Sequence, residues 1–348
     1  VLYRPYRERS RSRIRDLAVS GLKSTGYGDL SLLALSIGDY SGLLPLTASL
    51  MQDAQPGKVA LSLPSIRVGS MDPAVMKEIL RVRKTGCTLA PEAATDRLRN
   101  VINKRIDEEE LLRAAKFLAA GGWRALKLYF MIGLPTERDE DVEGIVRLAE
   151  TLQKTARTVR SKPFQITVNV STFVPKAHTP FQWEAQLSMA EAIEKQNFLK
   201  KRLRRPGYQL KWQDARLSLL EGLFARGDRS LCDLLETAYR RGCVLDGGTE
   251  HLRFDLWEEA FSAASVTPDD WLLPIPDIES PLPWSWIDTG VDPAFLKQER
   301  LQAHRERETP FRCRGDCARC ALCSSKPVPE NSRTVPSAIC SKTSPLSL

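Results

Sequence analysis

The chain has 348 residues, 42% of them hydrophobic and 27% charged, a globular composition with room for one large α/β domain and a smaller appendix. No run approaches about eighteen apolar residues, so no transmembrane helix is expected, and the opening VLYRPYRERSRSRIR lacks the apolar stretch of a secretory signal. A cytoplasmic location is the expectation, with no membrane partner. The net charge of +8 is uneven: Arg4, Arg7, Arg9, Arg11, Arg13 and Arg15 crowd the start, and Lys200, Lys201, Arg202, Arg204 and Arg205 form a second cluster. Such clusters can meet phosphate-bearing partners, and they also arise as plain solvated helix faces.

Taken in chain order, short β-rich runs stand at 30–37 (LSLLALSI), 58–66 (KVALSLPSI), 86–90 (GCTLA), 124–133 (RALKLYFMIG) and 164–173 (FQITVNVSTF). Stretches of helical periodicity separate them: PAVMKEILRVRK after Asp72, DEEELLRAAKFLAA after Ile106, and DEDVEGIVRLAETLQKTAR after Arg138. Asp72 before Pro73 reads as a helix N-cap with a first-turn proline, and Asp107 opens a helix with Glu108 to Glu110 in its first turn. Gly121 and Gly122 end that helix. Strand–helix alternation of this kind predicts a parallel sheet, open or closed into a barrel. A full (β/α)8 barrel needs ~250 residues, so five units between 25 and 185 predict a partial barrel or an open sheet. From about 186 the texture turns helical and charged, without further strands. The proline-rich 274–283 reads as a connection, and 326–348 as a disordered Ser/Pro-rich tail.

Ligands of parallel α/β folds bind at the carboxyl ends of the strands. The polar residues there are Asp39-Tyr40-Ser41, Ser65-Ile66-Arg67, Glu92 to Thr95, Gly133 to Glu137, and Lys176-Ala177-His178. Glu92 could accept hydrogen bonds from an amine or a ribose hydroxyl, or act as a carboxylate favoured by a helix dipole. Gly133 could allow close backbone approach, or make an ordinary β/α turn. His178 could be a base, a ligand or a structural hydrogen bonder. Neither the common nucleotide-binding glycine motifs nor the common hydrolase motifs are present.

Eight cysteines are present, and four of them, Cys313, Cys317, Cys320 and Cys323, fall within FRCRGDCARCALC. Short spacing in a chain without a signal reads as metal ligation and not as a disulfide framework. Four thiolates suit a closed tetrahedral zinc site or a fully ligated iron–sulfur cluster. Cys87, Cys232 and Cys243 are scattered and are expected to be buried small hydrophobes. Cys340 is expected to be an exposed thiol.

The strings YRPYRERS, TGYGDLSLLALSIGDYS, VALSLPSIR, RKTGCTLAPEAATDRLRNVINK, LKLYFMIGLPTERDEDVEGI and FVPKAHTPFQW occur in this order, and the likeness covers about residues 1–325. Together they resemble uncharacterised radical S-adenosylmethionine proteins, which carry a cobalamin-binding-type domain before the radical core and are relatives of methylthiotransferase and elongator-type barrels. The resemblance implies a TIM-like radical core barrel over 1–185, lacking its first strand. A helical region over 186–300 and a Cys-rich metal-binding segment over 301–325 follow it. It implies that the [4Fe–4S] ligands, a C-x3-C-x2-C motif, lie upstream of Val1, so that the chain is a fragment inactive by itself. Cys313, Cys317 and Cys320 share that spacing, but they follow the barrel by more than a hundred residues. With Cys323 they are expected to hold zinc or a second iron–sulfur cluster. Where that family usually has Gly, this chain has Ala94.

Carried over by position, Glu92 would contact the ribose or amino end of S-adenosylmethionine, and Met131, Ile132 and Gly133 would lie near adenine. Asp39, Tyr40, Ser65, Arg67, Lys127, Lys176 and His178 would face the mouth. An electron donor is an implied partner, RNA a candidate substrate by analogy with the relatives, and cobalamin a candidate cofactor of the longer protein. Two alternatives from other classes are a non-catalytic nucleic-acid-binding module with a four-cysteine zinc site and a metal-independent barrel enzyme.

Overall fold

The computed structural model describes residues 8–34, 37–54, 59–63, 73–79, 81, 87–160 and 162–309. Asp72, Ser65, Arg67 and the cysteines at 313, 317, 320, 323 and 340 lie outside the described residues. The architecture is mixed α/β with two parallel sheets. Strand β1 (Asp29–Ser31) pairs with β2 (Ala60–Ser62). Strands β3 (Cys87–Glu92), β4 (Ala125–Ile132), β5 (Gln165–Thr172) and β6 (Tyr208–Trp212) form a second sheet in sequential order. Helices α1 (Arg11–Thr25), α2 (Leu43–Ala54) and α3 (Pro73–Ile79) accompany the small sheet. The larger one is interleaved with α4 (Asp96–Val101), α5 (Glu108–Ala120), α6 (Asp139–Thr158) and α7 (Met189–Leu203).

The alternation read from the sequence is present, with one correction. Residues after 186 were expected to contain no strand, yet β6 continues the sheet in parallel with β5, Val168 facing Leu210 and Val170 facing Trp212. The four-stranded sheet therefore extends into the region read as purely helical.

Local chemistry accounts for the helix ends. In α5 the Glu110 N–H donates to Asp107 Oδ1 at 2.6 Å, and the Asp107 N–H returns a bond to Glu110 Oε2 at 3.2 Å, a reciprocal cap that satisfies two orphan donors. The helix stops at Gly122, which takes φ +84° while the Trp123 N–H donates to the Leu118 carbonyl at 3.0 Å. Helix α6 begins with Asp139, Glu140 and Asp141, acids favoured by the dipole.

The core explains the orientation of the sheet. Leu126, Leu128, Phe130 and Ile132 of β4 join Ile166, Val168 and Val170 of β5 in one buried cluster with α5, α6 and α7. Since alternate strand residues point to opposite faces, Lys127, Tyr129 and Met131 look the other way. A second cluster lies in the carboxyl-terminal helices and joins α8 (Ala215–Arg226), α9 (Cys232–Arg240) and α10 (Phe254–Ala263). Helix α11 (Asp269–Leu272) supplies Leu272 to that cluster, and α12 (Pro293–His304) returns toward α4. Of the scattered cysteines, Cys243 is buried and Cys87 half-buried, with its thiol pushed up to about 12 by burial. Cys232 is exposed, so the buried role expected of it is corrected: it opens α9 at the surface. No helix among the described residues is long and apolar enough to cross a membrane.

Candidate functional site

Left-handed backbone recurs at and past the ends of three successive strands of the large sheet. Glu92 closes β3 at φ +64°, Thr136 stands four residues past β4 at φ +65°, and His178 six residues past β5 at φ +57°. Left-handed backbone is disfavoured for any residue with a Cβ, and for a β-branched threonine most of all. Such conformations persist where surrounding structure over-determines them, and they concentrate at functional sites.

Beyond β3, the backbone turn is held by Arg99, which is 1% exposed. Its Nη1 donates to the carbonyls of Ala93 at 3.0 Å and Ala94 at 2.9 Å, and its Nη2 pairs with Asp96. The Ala94 methyl is buried in the core, and a Cβ at Gly144 of α6 would lie 3.3 Å from it. The turn between β3 and α4 therefore meets α6 through small side chains. Glu92 is left partly exposed, 3.5 Å from Lys104. Burial raises its carboxyl above the ordinary range, against the opposing pull of Lys104. A carboxyl in that condition is suited to a cationic or hydroxyl-bearing ligand, which would supply the partner that Lys104 supplies only at a distance.

Beyond β4, Gly133 takes φ +79°, and a Cβ there would meet Leu187 Cγ at 2.5 Å. Its N–H donates to Glu137 Oε2 at 2.9 Å. Glycine at this position thus answers to the turn and to Leu187, and its amide is already engaged. Glu137 is raised by burial even though Lys195 lies 3.2 Å from its other oxygen. Ile132 is wholly buried in the core and offers a ligand only its backbone, whereas Met131 is half-buried on the opposite face.

The strained Thr136 is fixed by Arg97. That guanidinium donates to Thr136 Oγ1 at 3.2 Å and to its carbonyl at 3.0 Å. It also pairs with the buried Asp141 and, at 2.8 Å, with Glu306 beyond α12. Asp141 accepts further bonds from the Thr95 hydroxyl and, at 2.8 Å, from the Arg138 N–H. Arg97 thereby binds the ends of β3 and β4 to the chain's far end. Alongside, Asn103 donates to Thr309 Oγ1 at 3.0 Å.

Beyond β5, the His178 N–H donates to Gln182 Oε1 at 3.0 Å, and the half-exposed Lys176 is ion-paired with Glu221 of α8. Asp39 and Tyr40 follow β1 and belong to the two-stranded sheet. Asp39 is exposed, and the Tyr40 hydroxyl donates to the Arg9 carbonyl at 2.9 Å, with its pKa raised by burial first and Glu8 second. Lys127 is exposed on the sheet face turned away from the helices. The sequence reading missed Arg97, Arg99 and Asp141, and it took in Thr136 only within the stretch Gly133 to Glu137. It also missed Tyr129, which period-2 alternation from Lys127 would have found.

No family model matches the chain. It is 31% identical over 237 residues to an uncharacterized protein of Methanocaldococcus jannaschii, a match taking in 68% of this chain. The chain spans about half the length of that relative, 50% of it being covered.

Proposed function

We propose that this chain is part of a cytoplasmic radical S-adenosylmethionine enzyme, whose partial (β/α) barrel turns its strand ends to the cofactor. The observation that carries the reading is the set of left-handed, non-glycine residues at the end of β3 and in the loops that follow β4 and β5. It coincides with the motif strings through which the sequence resembles that family.

The residues at these ends fit S-adenosylmethionine in chemistry. Glu92 is a partly exposed, burial-raised carboxyl that would bind an ammonium or ribose hydroxyl. Ile132 and Leu134 flank the turn at Gly133, and since their carbonyls accept from the Phe173 and Glu137 N–H groups at 2.8 and 3.0 Å, an adenine edge would have to share those oxygens. For the [4Fe–4S] cluster the fit is otherwise: among the described residues no group of three or more His, Cys, Asp or Glu could hold a metal ion. In the family that cluster supplies the electron that cleaves the cofactor. What this chain's residues would do is orient the cofactor through Glu92 and fix the rim through Arg97 and Arg99.

The nucleic-acid-module reading draws less support. Arg202 and Arg205 of its basic cluster are paired with Glu143 and Glu150 of α6, as expected of a helix face that serves packing. The test is anaerobic reconstitution of the longer protein with iron and sulfide, followed by a reductive cleavage assay. 5′-Deoxyadenosine should form with the longer protein and not with this chain alone. No product from a longer protein carrying an upstream C-x3-C-x2-C would overturn the reading.

A further inference from the structure

We propose that the helix-free face of the four-stranded sheet binds a phosphate-bearing substrate, with Lys127 and Lys211 as its counter-charges. As a statement about substrate this rests on the enzyme reading above. As a binding surface it rests on the sheet alone.

Parallel sheets ordinarily have both faces covered, and their strands read as continuous apolar runs. Here the second face is polar along Lys127, Tyr129, Thr167, Asn169, Gln209 and Lys211, and at its carboxyl end Met131 packs with the cluster of Leu98, Val101 and Ala303. Adjacent strands set the polar residues in rows: Lys127 lies beside Thr167 and Thr167 beside Gln209, while Tyr129 lies beside Asn169 and Asn169 beside Lys211. Lys127, Tyr129, Gln209 and Lys211 are exposed, Tyr129 by 44%. A parallel sheet with one polar, open face is a surface built for a ligand and not for a second layer of helices.

Its charge points to the kind of ligand. From Thr88 to Lys211 the positions on this face include two lysines and no Asp or Glu. Among the described residues neither lysine takes part in a recorded ion pair, in contrast to Lys104, Lys176 and Lys195 at the strand ends. The two are two strands apart, with β5 between them, and two residues offset, so their Cα atoms stand roughly 12 Å apart given ~4.8 Å between strands and ~3.3 Å per residue. Flexible four-carbon stems can converge on one anion over that span. Between them, Tyr129 and Gln209 offer neutral hydrogen-bonding groups and an aromatic surface. Asn169 is held in place by donating to the Leu128 carbonyl at 3.2 Å, which leaves its side-chain oxygen available. A dianionic phosphate gains from both lysines at once, where a neutral ligand gains from neither.

The experiment is equilibrium titration of this chain, by calorimetry at low ionic strength, with uridine 5′-monophosphate, uridine and a short oligouridylate. The two phosphate-bearing probes separate a free metabolite from a phosphate carried in an RNA chain. Binding of either should be about tenfold or more tighter than that of uridine, since one charge-assisted hydrogen bond is worth that much. Lys127→Met and Lys211→Met should each weaken it by about tenfold, and Lys127→Arg, which keeps the charge, should largely retain it. A K77M/K116M double variant, which removes two exposed helix lysines, should change nothing. The inference fails if uridine binds as tightly as its phosphate, if the two Met variants bind like the parent, or if no phosphate-bearing probe binds. Those outcomes are independent of whether the longer protein makes 5′-deoxyadenosine, so this inference and the enzyme reading can fail separately.

Discussion

Replacing Arg97 with methionine tests the rim most directly, because it keeps side-chain bulk and removes one guanidinium with four acceptors. The Asp141 side chain is 3% exposed and Arg97 20%, whereas Glu306 is 35% exposed. Breaking a buried pair costs about 3–5 kcal/mol, because the remaining charge is left without its partner. Asp141 would keep the Thr95 hydroxyl and the Arg138 N–H, which places the expected loss at the lower end, about 3 kcal/mol. The Glu306 arm is half in solvent, and such a pair is worth ~0–1 kcal/mol. Urea unfolding followed by circular dichroism should therefore show a loss of about 3 kcal/mol for Arg97→Met and under about 1 kcal/mol for Glu306→Gln. The double variant should be worse than Arg97→Met by no more than ~0–1 kcal/mol, since the Arg97–Glu306 bond is already gone and only the exposed Arg138–Glu306 pair is newly lost. A change within about 0.5 kcal/mol for Arg97→Met, the range of ordinary surface substitutions, would refute the hub. So would a Glu306→Gln loss equal to that of Arg97→Met.

Glu92→Gln in the longer protein should weaken S-adenosylmethionine binding by about tenfold without loss of fold, and unchanged affinity would return Glu92 to a structural role. Burial raises the Glu137 carboxyl, so its neutral form favours the folded state: that contribution is full below the unfolded value and is lost as pH rises through the folded one. The stability of Glu137→Gln relative to the parent should accordingly improve between pH 4.5 and pH 7.5, and a gap that does not move with pH would count against it. Gly133→Ala places a methyl against Leu187 at a φ of +79°, a loss of about 1–3 kcal/mol from the backbone alone. Leu187→Ala added to it should recover part of the loss, and simple additivity would contradict the contact. The whole chain should bind one equivalent of Co2+ or Zn2+ with thiolate absorption, abolished by Cys320→Ser and untouched by Cys340→Ser. A reduced chain that binds none would remove the four-cysteine site.

Five strands were legible because each pairs an apolar alternation with a flanking helix whose caps are written in sequence, as Asp107 and Gly121-Gly122 show. Strand β6 was not. Its YQLKW does alternate Tyr208, Leu210 and Trp212 with Gln209 and Lys211, but it lies at the sheet's edge with three of five residues exposed, and so short a run does not stand out inside a charged helical stretch. The ends of the strands were identified as the place to look, and Glu92 was among the residues named there. What sequence could not supply was geometry. Nothing in a glutamate, a threonine or a histidine announces a left-handed backbone, and Arg97 reaches Asp141 and Glu306 across 44 and 209 residues. Ser65, Arg67 and the four clustered cysteines stay expectations, since they fall outside the described residues.

The attachment of α12 has a bearing on how the molecule is made. Its body is fastened to Glu184 through Arg300 at 2.6 Å and His304 at 2.7 Å, and the residues just past it supply Glu306 to Arg97 and Thr309 to Asn103. Synthesis proceeds from the amino end, and local units fold before distant ones can arrive. While a ribosome is still translating residue 290, all six strands exist and their helices can pack, yet Arg97 still lacks one of its carboxylates. The rim is finished only when α12 and the residues after it emerge and dock. Messages cut short upstream of that point would yield a folded sheet with an incomplete rim, so α12 ties completion of the site to completion of this stretch of chain.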